Sequence, residues 1–467
     1  MLSYLKKLLS GGQNQAPDIG PQFQAYNKSR TTSDHSAFCY APSTNMYFAQ
    51  DGSVRLCCHN MEYHLGKYPD QSIHEIWNSE AAQKVRQDMR EYRLYDGCNI
   101  CRTDVEMGAH SEVRAQFFDS LPRHASYPTM MEFLLTNTCN LECIMCDGTY
   151  SSLIRQNREK LPPIPNVYDD TFIEQIREFI PHLREARFSG SGEAFLIDAN
   201  YKIWEMIIEL NPTCTIMVQT NGMVLNARVK DILSRGRFKI GVSIDSLDKE
   251  TFETIRPNAR LERVLETTRY FSEYALAQKM TFNIALCVMR QNWQELPAFV
   301  KLSNDLNART IFHKVYQPAE YSLQTLPPAR LQEIITQLEQ TAPEAHTPLE
   351  KLNRSHFLYI IDSIREWHKA AVLDQFDDLS DDALLSGILQ RAYQHIAETT
   401  DGSAEQDYRS FENKLAGLLQ EYDDAGMKRK TLTMLYRADI GAMYPFFRRY
   451  PAEELFTLSQ KYFESIA

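Results

Sequence analysis

Three cysteines, Cys139, Cys143 and Cys146, lie in the stretch TNTCNLECIMCDG with the spacing C-x3-C-x2-C. Thiolates are soft ligands suited to zinc or to iron–sulfur clusters. A structural zinc takes four ligands, usually as two C-x2-C knuckles or Cys/His pairs. Only three are supplied here, and the next cysteine along the chain is Cys214. Three thiolates around a four-iron cube leave one iron without a protein ligand. An electron-transfer cluster takes four cysteines, so the vacancy suits a cluster whose open iron chelates a substrate or cofactor.

A second set, Cys39, Cys57, Cys58, Cys98 and Cys101, precedes the first. Cys98 and Cys101 form a C-x2-C metal knuckle. Cys39 and Cys57 flank Asp51-Gly52, a hairpin signal between two β-like runs, so both can face the knuckle. Cys57 and Cys58 alternate across a strand, and only one of them should point at a metal. Cys57 is the expected ligand, with Cys39, Cys98 and Cys101. Zinc remains open on spacing alone. Cys214 and Cys287 fall inside apolar strands and read as buried residues.

The elements that must position these residues alternate from Met130 onward. Strands are expected at Met130–Thr136, Glu185–Ser189, Cys214–Gln219, Lys239–Ile244, Thr281–Val288 and Thr310–Val315. Amphipathic helices are expected at Phe172–Leu183, Tyr201–Leu210, Ala227–Ser234, Leu261–Ala277 and Trp293–Leu306. Six βα units read as a parallel sheet or barrel, an α/β fold whose chemistry sits at the C-terminal strand ends. SIHEIWNSEAAQKVRQDM reads as helical, with Asn78 or Ser79 as a cap. After Ala319 the strand pattern stops. Leu331–Leu338, Phe357–Val372, Leu384–Ala397 and Phe411–Tyr422 read as helices, interrupted by Asp423-Asp424-Ala425-Gly426 and by Pro451.

At this point a resemblance is evident. C-x3-C-x2-C directly after a first strand resembles the signature of the radical S-adenosylmethionine (SAM) superfamily. SGSGEAF resembles that family's Gly-Gly-Glu-Pro stretch, with Ser191 and Ala194 in place of Gly and Pro. QTNGMVL resembles Thr-Asn-Gly-x-x-Leu, and GVSIDSLDKETFETIRP resembles a Ser-Ile-Asp strand end followed by an Arg. The fold so implied is a partial (β/α)6 TIM-type barrel. The resemblance implies a [4Fe-4S] cluster on Cys139, Cys143 and Cys146, with SAM on the open iron. An electron from the cluster would cleave SAM to a 5′-deoxyadenosyl radical that abstracts hydrogen from a substrate. It implies SAM contacts at Met145 (beside the adenine), Ser191, Gly192 and Glu193. Ser243 would meet the ribose or carboxylate and Arg256 the carboxylate, a natural task for a guanidinium fork. Asp245 could equally cap the following helix.

The run from Cys39 to Cys101 resembles the SPASM/twitch module, which binds auxiliary iron–sulfur clusters and here precedes the barrel. Glu106, Gly108, Ser111 and Arg114 of CRTDVEMGAHSEVR fit the same pattern. The implied organisation is an N-terminal helix and linker (1–38), a cysteine-rich twitch-like module (39–125), the radical SAM core (126–318) and a C-terminal helical extension (319–467). The auxiliary cluster would bind substrate or accept an electron from a product radical. A reductase such as flavodoxin or ferredoxin is the implied partner. His313, Lys314 and Tyr316 stand near the end of the last strand.

Charge and composition narrow the classes further. The formal net charge is −11, and from Glu320 onward 24 acids face 15 bases. No basic stripe is visible, which argues against nucleic-acid binding. No apolar run is long enough to span a membrane. Leu2–Leu9 is too short for a secretory signal, so a cytoplasmic location with reduced cysteines is expected. Neither a cobalamin domain nor a winged peptide-binding module is expected before Cys39. A peptide or protein side chain is the expected substrate. The alternatives are a small metabolite such as a sugar, or a non-catalytic iron–sulfur protein.

Overall fold

The computed structural model describes residues 19–60, 62–94, 96–106, 108–124, 126–373, 379–400, 403–438 and 440–466. The Leu2–Leu9 segment lies outside them. The chain divides into two compact units, one running to Leu286 with Asp305–Arg309, the other comprising Cys287–Asn304 and Thr310 onward.

Among the described residues, nine strands form one sheet: β1 (Asn45–Phe48), β2 (Ser53–Arg55), β3 (Gly66–Lys67), β4 (Met130–Phe133), β5 (Glu185–Phe188), β6 (Thr215–Thr220), β7 (Phe238–Ser243), β8 (Phe282–Val288) and β9 (Arg309–Lys314). Their order is β3-β2-β1-β4-β5-β6-β7-β8-β9. Strands β4 to β8 pair in parallel. All six expected strands are present within a few residues of their expected bounds, in an open α/β sheet of the partial-barrel kind.

Alternation explains the sheet's two faces. In β6 the buried residues Ile216, Val218 and Thr220 alternate with half-buried Thr215, Met217 and Gln219. On the apolar face Phe133 stacks between Phe48 and Phe188, at 5.3 and 4.9 Å. Trp204, from the helix Asp198–Leu210, meets Phe188 edge-on. Each such side chain contributes about 1.5–3 kcal/mol of burial. The opposite face is polar, and it carries the chemistry.

The cysteine-rich segment does not stand apart from this sheet. β1 and β2 form the hairpin expected around Asp51-Gly52, pairing antiparallel. Gly52 turns at φ +84, where a Cβ would run into the Tyr68 carbonyl. β1 then adds in parallel to β4, the strand that leads into Cys139. Within the segment 1–38, read as a helix and linker, the described residues contain the helix Pro21–Ser29. The chain just beyond it is fixed by a buried Arg30–Asp119 fork, with Nε 3.0 Å from Oδ2.

SIHEIWNSEAAQKVRQDM forms two helices, divided at the expected cap Ser79. Ser72 caps Ile73–Asn78 in a capping box with Glu75. Ser79 is extended and caps Glu80–Arg90 by accepting from the Ala82 amide.

In the second unit the expected helices fall in Pro328–Gln340, Pro348–Leu373, Asp381–Thr399 and Ala404–Gln420, the last ending two residues before the expected Tyr422. Three more follow: Ala425–Arg437, Ile440–Arg449 and Ala452–Ile466. The Asp423–Gly426 stretch ends one helix and starts the next, because Asp424 accepts from the Met427 amide at 2.7 Å. A core of Leu384, Ile388, Phe411, Leu415, Leu432 and Phe447 holds these helices together.

Candidate functional site

The cysteine loop leaves the end of β4 and is braced at its neck. Asn137 donates to the Gly148 carbonyl at 2.8 Å and accepts at its own carbonyl from the Ser152 amide. Ser151 caps the helix Ser152–Asn157 and donates to the Leu141 carbonyl. Arg158 spans the outside of the loop, donating to the carbonyls of Cys143 and Cys146 at 3.4 and 2.6 Å.

Loops from the next three strands close on it. After β5, the Gly192 amide donates to the Tyr150 carbonyl at 3.0 Å and the Glu193 amide to the Thr138 carbonyl at 2.7 Å. Gly192 sits at φ +63, with Thr138 O only 2.7 Å from where a Cβ would be, so only glycine fits. After β6, Asn221 donates to Asn140 at 2.8 Å. After β7, Ile144 and Glu142 bond through their amides to the carbonyls of Ile255 and Pro257. The loops after β4, β5, β6 and β7 therefore meet at Cys139, Cys143 and Cys146.

The expected residues take distinct places. Glu193 is buried, its carboxylate accepting from the Phe195 and Asn221 amides and the Thr220 hydroxyl. Its side chain thus ties β5 to β6, while burial pushes its pKa up. Ser191 donates to the Thr136 carbonyl and accepts from Gln50. Ser243 accepts from Gln219 at 2.8 Å. Met145 is half-buried within the loop. Arg256 is buried and donates through Nε to Asp245 at 2.6 Å, with Nη1 3.8 Å from the Cys143 sulfur. That task differs from pairing with a ligand carboxylate. Asp245 does not cap the next helix; Asp248 does.

The thiols of this loop differ in acidity. Cys143 is pulled down to about 7, chiefly by a hydrogen bond with Cys146, against burial and with help from the Arg256 charge. Cys139 is pushed up by burial.

The second set gathers in one enclosed pocket. Its lining includes Cys39, Cys57, Cys98 and Cys101, but not Cys58. Cys58 packs on the other side, beside Tyr47, Ala49 and Leu134. Burial pushes Cys39 and Cys57 well up and Cys101 up to about 11. Such thiols ionise when a cation compensates them. Asn60 Nδ2 lies 3.9 Å from the Cys98 sulfur. Among the described residues, no three His, Cys, Asp or Glu side chains converge on one point as ligands of a single ion. Four soft donors around one pocket fit an iron–sulfur cluster.

Sequence reasoning missed Gln50, Arg158 and the Asn140–Asn221 bond. Gln50 sits in the hairpin turn, where its neighbour Gly52 gives a turn signal but nothing marks its reach to Ser191. His313, Lys314 and Tyr316 belong to the second unit, where Lys314 donates to Tyr359 at 2.6 Å and Tyr316 meets Trp367 edge-on.

Comparison with known proteins agrees with this geometry. The Radical SAM superfamily model matches residues 133–303, and the iron–sulfur cluster-binding SPASM domain model matches residues 39–102. The chain thus carries a radical SAM domain with a SPASM segment N-terminal to it, and these two domains imply iron–sulfur clusters and SAM as cofactors.

Among curated proteins, the chain is 25% identical over 207 residues to the molybdenum cofactor biosynthesis protein moc-5 of Caenorhabditis elegans, covering 44% of this chain and 32% of that one. It is 26% identical over 183 residues to the GTP 3',8-cyclase of Limosilactobacillus fermentum, covering 38% and 52%. The chain thus spans about half or less of these relatives. Among solved structures, anSMEcpe with bound AdoMet aligns at 19% identity and a TM-score of 0.34, over 46% of this chain and 59% of that one. Streptococcus suis SuiB bound to S-adenosylmethionine aligns at 13% identity and a TM-score of 0.34, over 57% and 59%. No described helix is long and apolar enough to cross a membrane.

Proposed function

We propose that the chain is a radical SAM enzyme that abstracts hydrogen from a peptide or protein side chain. The observation that carries the enzymatic reading is the meeting of four strand-end loops at Cys139, Cys143 and Cys146. These three residues would hold a [4Fe-4S] cluster, and Cys39, Cys57, Cys98 and Cys101 an auxiliary one. The SAM cluster, when bound and reduced, supplies a one-electron cleavage of SAM.

The chain's own residues do the rest. Arg158 fixes the carbonyls of the cysteine loop, and Arg256 places positive charge beside the Cys143 sulfur. Gly192 lets the β5 loop lie against the cysteine loop. Ser191, Glu193 and Ser243 hold the rim where SAM would bind, with Met145 beside it. Gln50 ties the auxiliary segment to that rim. A flavodoxin or ferredoxin would deliver the electron, in a cytoplasmic setting. The SPASM segment favours the peptide substrate. A small-molecule substrate is the second reading, favoured by the relatives named GTP 3',8-cyclase. Anaerobic incubation with SAM, a strong reductant and a deuterium-labelled cell extract tests the function. Deuterium appearing in 5′-deoxyadenosine identifies an abstracted hydrogen; no SAM cleavage refutes the enzyme.

A further inference from the structure

The polar face of the sheet carries a row of charge that neither cysteine centre uses. Tyr47, Glu132, Arg187, Met217 and Lys239 lie side by side in register across β1, β4, β5, β6 and β7. Glu185 accepts from Arg187 Nη1 at 2.9 Å and from Lys239 at 2.8 Å. Glu132 accepts from Asn45 at 2.8 Å and lies 3.8 Å from Arg187 Nε. Both carboxylates are therefore engaged.

Two guanidinium nitrogens are not, although Arg187 Nη1 and Lys239 both donate to Glu185. Arg187 Nε is buried without a hydrogen-bond partner, and so is Arg114 Nε. Arg114 faces aromatic rings rather than a carboxylate, with Cζ 4.1 Å from the Phe117 centroid. Arg187 Cζ lies 4.9 Å from the same centroid, so the two Cζ atoms are at most 9.0 Å apart. Both side chains are partly buried, where like charges are screened much less than at the surface. Arg114, Arg187 and Lys239 outnumber Glu132 and Glu185 in a chain of net charge −11. The thiol of Cys58 lies within the field of Arg114, Glu132 and Arg187. Arg114 also lines the pocket of Cys39, Cys57, Cys98 and Cys101.

We propose that Arg114 and Arg187 form an oxyanion subsite that holds a carboxylate or phosphate of the substrate beside the auxiliary cysteine pocket. Guanidinium forks match both groups in geometry, and an anion between them satisfies the orphaned donors while removing the repulsion. The proposal rests on the enzymatic reading above and narrows its substrate to an anionic one.

Equilibrium dialysis of the anaerobically reconstituted full chain against radiolabelled phosphate tests it, with acetate as competitor. Wild type should take up phosphate saturably. R114Q should bind it at least about tenfold more weakly, the loss of one charged hydrogen-bonding partner, and R114K should retain more than R114Q. Displacement by acetate at lower concentration than phosphate itself identifies a carboxylate as the natural group; the reverse identifies a phosphate. The proposal is overturned if R114Q binds phosphate as wild type does, or if wild type takes up neither anion. It is also overturned if R114Q loses auxiliary iron, which would assign Arg114 to the cluster. SAM cleavage, read in the same wild-type sample, separates the two ideas: cleavage without anion binding sinks only the subsite, and anion binding without cleavage sinks only the enzyme.

Discussion

Arg256 Nη1 lies 3.8 Å from the Cys143 sulfur, while Nε of the same guanidinium holds buried Asp245 at 2.6 Å. A single buried cation thus serves both a carboxylate and a candidate iron ligand. R256Q would leave Asp245 buried without its cation, a loss of about 3–5 kcal/mol. Denaturant unfolding should show that loss, and the D245N/R256Q double variant should recover part of it. If R256Q is as stable as wild type, the pair is not the brace described.

Gln50 should couple the auxiliary segment to SAM binding. It donates to the Thr149 carbonyl at 2.9 Å and to Ser191, from a hairpin that belongs to the cysteine-rich segment. Q50L should weaken SAM affinity about tenfold, by removing a buried donor to both loops, while iron content stays at the wild-type level. Calorimetric titration with SAM measures it. Unchanged affinity would make Gln50 a bystander.

Cys57 and Cys58 should behave oppositely. Cys57 lines the four-cysteine pocket and Cys58 faces away from it. C57A should lose the auxiliary cluster, leaving about four of roughly eight irons per chain, whereas C58A should keep all of them. Iron analysis after anaerobic reconstitution decides this. Equal losses in both variants would contradict the assignment.

Gly192 should tolerate no side chain. G192A would bring a Cβ to 2.7 Å from Thr138 O at a positive φ. The β5 loop must then move off the cysteine loop, at a cost of about 1–3 kcal/mol. SAM binding should fall with stability. A fully active G192A would show that the two loops need not touch.

Much of this was readable in the chain because the period-2 and helical patterns are strong where both faces are specified. β5 and β6 alternate buried and half-buried residues, and the glycine and cysteine spacings mark the turns between them. The segment after Gln420 was less legible. Asp424 is both a breaker and a cap, and only its bond to the Met427 amide shows which helix it serves. At the site, residue types were legible but pairings were not. Glu193 stood out after a strand end and Arg256 in its spacing from Ser243. That Glu193 binds Thr220 depends on how β5 and β6 register, and that Arg256 binds Asp245 depends on how the helix Lys249–Ile255 folds back after β7; a one-dimensional pattern contains neither. Gln50 lies 141 residues from Ser191 in sequence, and no local signal links them.

The central claim, that Cys139, Cys143 and Cys146 form the SAM-cleaving centre and the other set an accessory one, is tested most directly by 5′-deoxyadenosine formation. Wild type, C139A/C143A/C146A and C98A/C101A are reconstituted anaerobically and given SAM and a strong reductant. Wild type and C98A/C101A should both form 5′-deoxyadenosine, and the triple variant should form none. Cleavage that survives in the triple variant, or that vanishes only in C98A/C101A, would contradict the account.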